Sequence, residues 1–366
     1  MNITKHIFGL VAFGFIGFFR VLQAENCCDQ QREWMPDVGL SSMDTPPASC
    51  RCKDDCNCEG TKNGECHCEI DHLIGIAPSS RDLYPQRSPF AESDADYARK
   101  CGKWGLWLPE DPVLFRPFLA DPRQITYSAG WRFNDNILAK NVIDVSFGDT
   151  CAIYRWFDVW PWGGDLQIEL EGALWAVFDP LHESSPLIDA DYYVGIPLTY
   201  AIDNWQFRLR GYHISTHMGD EYLIDHPGFD RRNPSAEYLD FAFSCDFTDE
   251  IRYFGGVGVI VAQDKSFKTG RFYLEGGAEL RFRQWGFTDF CDQLYGEPFY
   301  GMYFRWRKDF KHHLDQTYVL GYEIGKLYGL CRKLRFYIEY HDGYSLEGQF
   351  QKKATNYLSL RFSYGF

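Results

Sequence analysis

From Gln124 to the end of the chain, apolar and polar positions alternate with a period of two. Ile125, Tyr127, Ala129, Trp131 and Phe133 are interleaved with Thr126, Ser128, Gly130, Arg132 and Asn134. Tyr192, Val194, Ile196 and Leu198 take turns with Asp191, Tyr193, Gly195, Pro197 and Thr199. The clearest segment is the last, where Leu358, Leu360, Phe362, Tyr364 and Phe366 enclose Ser359, Arg361, Ser363 and Gly365. Alternation sorts the two sets onto opposite faces of a strand. One face is apolar and aromatic, the other charged.

These segments run about 9–13 residues, against about 5–6 for an average soluble strand, and about 9–11 tilted residues cross a bilayer. The pattern predicts an all-β chain, an antiparallel transmembrane β-barrel of about twelve strands. They are placed at 124–134, 142–149, 164–178, 189–201, 204–217, 237–247, 250–263, 271–284, 298–307, 316–326, 333–342 and 354–366. Asp203-Asn204 and Thr248-Asp249 read as tight periplasmic turns, and 179–188, 218–236 and 343–353 as outer loops. The long connections 150–163 and 285–297 break that rule, and one of them is expected to hide an extra strand pair or a periplasmic bulge. Trp104, Trp107, Trp156, Trp160 and Trp162 read as an interfacial aromatic girdle. The final strand ends on Phe366, a terminus that resembles the signal read by the barrel-assembly machinery of bacterial outer membranes.

Upstream the alternation is lost. Residues 1–24 have the build of a signal peptide: Lys5 and His6, an apolar run from Ile7 to Phe19, and Ala24 at the expected cut. A retained anchor is the alternative. Residues 25–100 are polar and are expected to form a Cys-rich, poorly ordered periplasmic segment, with 101–123 as a periplasmic lead-in to the 124–366 barrel. Of 13 cysteines, eight fall in the first segment: Cys27, Cys28, Cys50, Cys52, Cys56, Cys58, Cys66 and Cys68. In an oxidising compartment the expectation is disulfides, some linking the barrel to other envelope proteins. A thiolate metal cluster near His67 is the alternative, although the spacing is not that of a Cys-x-x-Cys zinc site.

The balance of 37 basic and 51 acidic residues, a net charge of −14, argues against a nucleic-acid partner. It leaves outer-membrane lipids as the expected surroundings. On the lumen parity, Arg132, Arg208, Arg210, Arg252, Arg281, Arg283, Arg305, Arg307, Arg335 and Arg361 face Glu169, Glu171, Asp191, Asp240, Asp246, Glu275, Glu279, Glu323 and Glu339. Near balance predicts a lumen filled by ion pairs. A narrow selective channel is the alternative.

Four motifs carry a family resemblance. They are Leu114-Phe115-Arg116-Pro117-Phe118-Leu119-Ala120-Asp121-Pro122-Arg123 before the barrel, the strand from Ile188 to Tyr200, and the polar stretches Tyr212–Tyr222 and Tyr340–Phe350. Together they resemble the bacterial outer-membrane barrel family known as domain of unknown function twelve hundred and seven. The resemblance covers about 114–366. It implies a barrel of the bacterial outer membrane, with the N-terminal segment in the periplasm. It brings no activity, so the first reading is a structural or interaction role.

The stretch with most chemistry is His213-Ile214-Ser215-Thr216-His217. His and Ser two apart share a strand face, as a base and a hydroxyl nucleophile must. The spacing resembles the His-x-Ser-Asn element of outer-membrane phospholipase A and of lipid A deacylases, with Thr216 in place of Asn. The alternative function is therefore a surface acyl hydrolase acting on phospholipid or lipid A, with His213, Ser215 and the orienter Asp191 as catalytic group; Asp189 and Glu221 are further orienters. Unbroken register turns His213 and Ser215 outward, whereas a bulge at Gly211 would turn both into the lumen. His217, Asp220, Glu221, Asp342 and Gln349 are candidate binding residues. The acids and glycines of 342–349 read as turn chemistry, with calcium as the alternative; no cofactor and no metal is expected.

Overall fold

The computed structural model describes residues 94–110, 112–289, 294–309, 314–326 and 332–366. The signal segment 1–24 and the cysteines Cys27, Cys28, Cys50, Cys52, Cys56, Cys58, Cys66 and Cys68 lie outside the described residues. A helix, α1 (Asp94–Lys100), and a three-residue strand, β1 (Gly105–Trp107), come first. The long strands are β2 (Tyr127–Phe133), β3 (Asn141–Val159), β4 (Gly164–Phe178), β5 (Leu187–Ile202), β6 (Trp205–Met218), β7 (Ser235–Asp246), β8 (Ile251–Gln263) and β9 (Phe272–Arg281). A short β10 (Phe287–Asp289) then precedes β11 (Leu294–Arg307), β12 (Asp315–Lys326), β13 (Lys333–Tyr344) and β14 (Ala354–Gly365). A six-residue helix, α2 (Asp220–Asp225), lies in the β6–β7 loop.

All pairings are antiparallel, and β14 pairs β2 from Leu358↔Phe133 to Tyr364↔Tyr127, joining the two ends of the sheet. With β1 and β10 set aside as edge pieces, the described strands form a closed barrel of twelve. Burial follows the pleat. In β14, Ser359 and Ser363 are fully buried while Leu360 is 53 % exposed, so the small polar residues line the inside and the apolar ones form the outer surface. The β5–β6 turn fits a tight two-residue hairpin, since Asp203 takes the positive φ of 48° that such turns require.

Among the described residues, neither long connection adds a strand pair to the ring. The 150–163 stretch is the continuation of β3, which runs to Val159 beside β4 with register shifts after Ala152 and Trp156. β1 adds to this hairpin, and α1 packs Ala95 and Ala98 on Phe157. Trp104, Trp107, Trp160 and Trp162 are strongly exposed around it. Within 285–297, β10 folds back on the start of β11.

The interior is occupied. The 101–123 lead-in divides in two: Gly105–Trp107 pairs with β3, whereas Val113 to Ala120 run inside the ring, and Phe115, Phe118, Leu119 and Ala120 pack on Ala242, Phe254, Phe299, Tyr303 and Val319 from β7, β8, β11 and β12. Phe118 stacks on Phe254 with centroids 3.9 Å apart. A chain without regular structure must find partners for its backbone when buried. Inward side chains supply them: Gln206 accepts from Arg116 N at 3.1 Å, Glu279 accepts from Leu119 N at 3.0 Å, and Arg252 donates to Arg116 O at 2.7 Å.

Candidate functional site

The strand β6 pairs with β5 without a break from Asp189↔Met218 to Ile202↔Trp205, and with β7 from Trp205↔Cys245 to Ser215↔Ser235. Gly211 therefore introduces no bulge. Tyr212 and Thr216 are buried inside, while His213, Ser215 and His217 keep the outward parity of Trp205 and Leu209. His213 sits opposite Glu237 of β7, with Nδ1 3.3 Å from Oε1. No hydrogen bond joins the Ser215 hydroxyl to His213 in this arrangement. His217 lies edge-on to the outward ring of Tyr192, with centroids 5.4 Å apart.

Asp191 is not part of that group. It is buried on the inner face, opposite Thr216, whereas His213 pairs with Val194 and points the other way. The expected role of Asp191 as orienter of His213 is thus corrected by strand parity, and the same holds for Asp189, which is also buried inside. Glu221 is elsewhere too: it accepts from Ser184 Oγ at 3.0 Å in the outer loops. Sequence reasoning missed Glu237, although it occupies the outward parity of Leu239, Phe241 and Phe243 as the one carboxylate of that series. A charge on an otherwise apolar face was the available signal.

The four sequence motifs meet inside the ring. Arg123 from the lead-in donates to Asp191 Oδ2 at 2.5 Å and to the carbonyl of Leu346. Thr216 donates to Asp191, and Gly348 N points at the same carboxylate from 3.3 Å. The close approach explains the glycine, because a Cβ at 348 would collide with Thr216 Oγ1. Glu347 pairs with Arg132 at 2.9 Å, and Arg132 reaches Asp144 at 2.5 Å. Arg361 shares Asp144 at 2.6 Å and Glu339 at 3.1 Å. Burial pushes the Glu347 carboxyl up, but Arg132 and Arg123 outweigh it and hold the group below the ordinary glutamate range.

Of the remaining candidate binding residues, Gln349 exchanges bonds with the backbone of Arg232, donating at 2.7 Å and accepting at 3.2 Å. Asp342 accepts from Gln316 at 3.1 Å, and Asp220 is exposed at the start of α2. These residues are spread over α2, β13 and the 345–353 loop and do not gather into one site. Among the described residues no group of three or more His, Cys, Asp or Glu side chains is placed to hold a metal ion.

Below this cluster a second network surrounds the lead-in. Arg281 lies 3.4 to 3.5 Å from Glu279, Glu297 and Glu323. Glu323 also meets Arg335 at 3.0 Å and Lys333 at 3.4 Å, and Arg252 meets Glu279 at 3.1 Å. Beside the first cluster is a cavity of about 120 Å³, bounded by Asp121, Arg123, Asp191, Thr216, Arg305 and Gly348 among others.

Among solved structures the chain is similar to outer membrane phospholipase A from Escherichia coli, at 10% identity over 65% of this chain and 92% of that one, with a TM-score of 0.44. It is similar to the calcium-bound dimer of the Salmonella typhi outer membrane phospholipase at 12% identity over 68% and 93%, with a TM-score of 0.43. The transport unit of the Escherichia coli autotransporter AIDA-I follows at 9% identity over 74% and 97%, with a TM-score of 0.32. At these identities and scores the likeness stops at the barrel fold. No curated protein matches the sequence. A family model described as "Protein of unknown function (DUF1207)" matches residues 76–366, and with its four motifs assembled around one closed barrel the chain belongs to that family.

Proposed function

We propose that this protein is an outer-membrane barrel of the bacterial envelope whose lumen is sealed, serving a structural or interaction role rather than passage of solutes. The observation that carries the reading is the lead-in packed across the inside of the ring, with Phe115 and Phe118 wedged against inward side chains of β8 and β11. The outward belt of leucine, phenylalanine and tyrosine supports lipid as its surroundings, since a soluble sheet leaves no such continuous face bare. The cysteines upstream of the barrel remain the proposed link to other envelope proteins. Planar-bilayer recording of the detergent-refolded chain tests the sealed lumen. No steady conductance is expected; a stable ohmic pore would favour the narrow channel instead.

A second reading rests on His213 Nδ1 lying 3.3 Å from Glu237 Oε1 on the face that also carries Ser215. In a surface acyl hydrolase, Glu237 would fix the imidazole, whose other nitrogen would take the Ser215 proton as the hydroxyl attacks an ester carbonyl. A rotamer change must first bring base and hydroxyl to about 3 Å. Deacylation of phospholipid and of lipid A by the refolded protein is the assay, with Ser215→Ala, His213→Ala and Glu237→Ala alongside. No turnover, with or without calcium, removes this reading, as does turnover that survives all three changes.

A further inference from the structure

Most of the lumenal arginines described lie against a carboxylate. Arg132, Arg210, Arg252, Arg281, Arg335 and Arg361 each have an acidic partner within 3.5 Å. Arg305 has none among the described residues, and its Nε is buried without a hydrogen-bond partner. The reason is visible in the register. Arg305 of β11 stands directly opposite Glu275 of β9, which should make an ordinary cross-strand pair. Each side chain instead takes a tyrosine. The guanidinium lies over the Tyr273 ring at 4.2 Å, and Glu275 accepts from Tyr303 Oη at 2.7 Å. Tyr273 is held in place because its ring covers Gly258, where a Cβ would not fit. Its hydroxyl is engaged with Tyr212 at 2.8 Å and Asp240 at 3.2 Å.

The guanidinium so displaced lines the 120 Å³ cavity between the lead-in and the outer loops. The floor of that cavity is Asp121 and Arg123, and its roof is Leu346, Gly348 and Gln351. Arg210 lines it too, already paired with Asp240 at 2.6 Å. The acids facing the space are Asp121, Asp191 and Glu275. Asp191 is neutralised by Arg123, and Asp121 accepts from Arg123 N at 2.9 Å. A planar guanidinium fork without a partner, in a cavity too small for a sugar chain and walled by tyrosine hydroxyls, suits an oxyanion of a few atoms.

We propose that the outer half of the lumen is a binding site for a small oxyanion, a phosphate or phosphate monoester, with Arg305 as its principal ligand. The lead-in motif supplies the floor and the 345–351 loop the lid, so all four family motifs contribute to the walls. The site is independent of His213 and Ser215, which lie on the opposite side of the wall.

Calorimetry at low ionic strength on the full-length, detergent-refolded protein tests this, with inorganic phosphate and glycerol 3-phosphate as the two probes. Heat-dependent gel migration checks that each variant has folded. Saturable binding of either probe is expected, and which one binds more tightly distinguishes the free ion from an esterified headgroup. Arg305→Gln should weaken binding by about tenfold or more, since a charge-assisted bidentate contact is lost. Arg305→Lys, which keeps the charge and loses the fork, should retain weakened binding. Glu275→Gln should bind at least as tightly as wild type, because an opposing carboxylate is gone. Absence of saturable binding by the folded wild type, binding unchanged in Arg305→Gln, or an equal loss in Glu275→Gln would overturn the proposal.

Discussion

Arg132 shows what one buried cation does in this barrel. It serves Asp144 at 2.5 Å and Glu347 at 2.9 Å, and its guanidinium lies over the Tyr357 ring at 4.5 Å. Arg132→Ala would leave both acids short of a partner, and breaking one side of a buried pair costs about 3–5 kcal/mol. Denaturant unfolding of the refolded variant measures it. Arg361 also serves Asp144, so the double change Arg132→Ala with Arg361→Ala should cost less than the sum of the two. Glu347 carries a pH dependence of definite sign. Its folded value lies below the free-glutamate value of about 4.3, so its contribution is complete above that pH and is lost as pH falls through the lowered value. Acid titration of the unfolding midpoint should therefore show a slope that Glu347→Gln removes. Parity in the sequence placed Arg132, Arg361 and Asp191 correctly on the inner side, because a strand offers only two faces. Pairing partners were not legible: which acid an arginine reaches depends on register and on loops that fold inward, and neither is written in the alternation. Arg305 departs even from the acid its register supplies, because Tyr273 and Tyr303 engage the two side chains instead.

At the scale of the elements, the strands were legible and the lead-in was not. Alternation over many residues leaves one period to choose, and the observed bounds of β4 and β8 lie within a residue or so of the expected ones. The 113–120 run has no period, so its apolar side chains carried no direction, and only a cavity of the right size inside the ring explains where they went. Phe118 is its anchor, stacked on Phe254 and 6.5 Å from Tyr303. Phe118→Ala should cost about 3–5 kcal/mol by the scale of core aromatic truncations, and should raise the frequency of transient conductance in planar bilayers. Unchanged stability would show that the segment packs loosely. The 345–350 loop behaves similarly at the other end, with Phe350 buried among Val142, Val177, Ile188 and Met218. Gly348→Ala is expected to unseat it, which protease cleavage within 345–353 would report.

For the whole molecule, the test is which solvent the outer face meets. Leu360 is outward in the middle of the closing strand, with Phe362 and Leu358 beside it on the same face. Leu360→Arg should cost about 2–4 kcal/mol if that face lies deep in lipid, and little if it lies in water. Folding yield into phosphatidylcholine vesicles against denaturant separates the two.

The ring is joined where β14 meets β2, and the stretch lodged inside it lies immediately upstream of β2. The strand that closes the ring, β14, therefore meets the chain just downstream of the contents it encloses. The cork and the first stave are a single length of chain, and α1 and β1, seated on the β3–β4 hairpin, anchor that length ahead of the cork, so a pull from upstream meets the hairpin first.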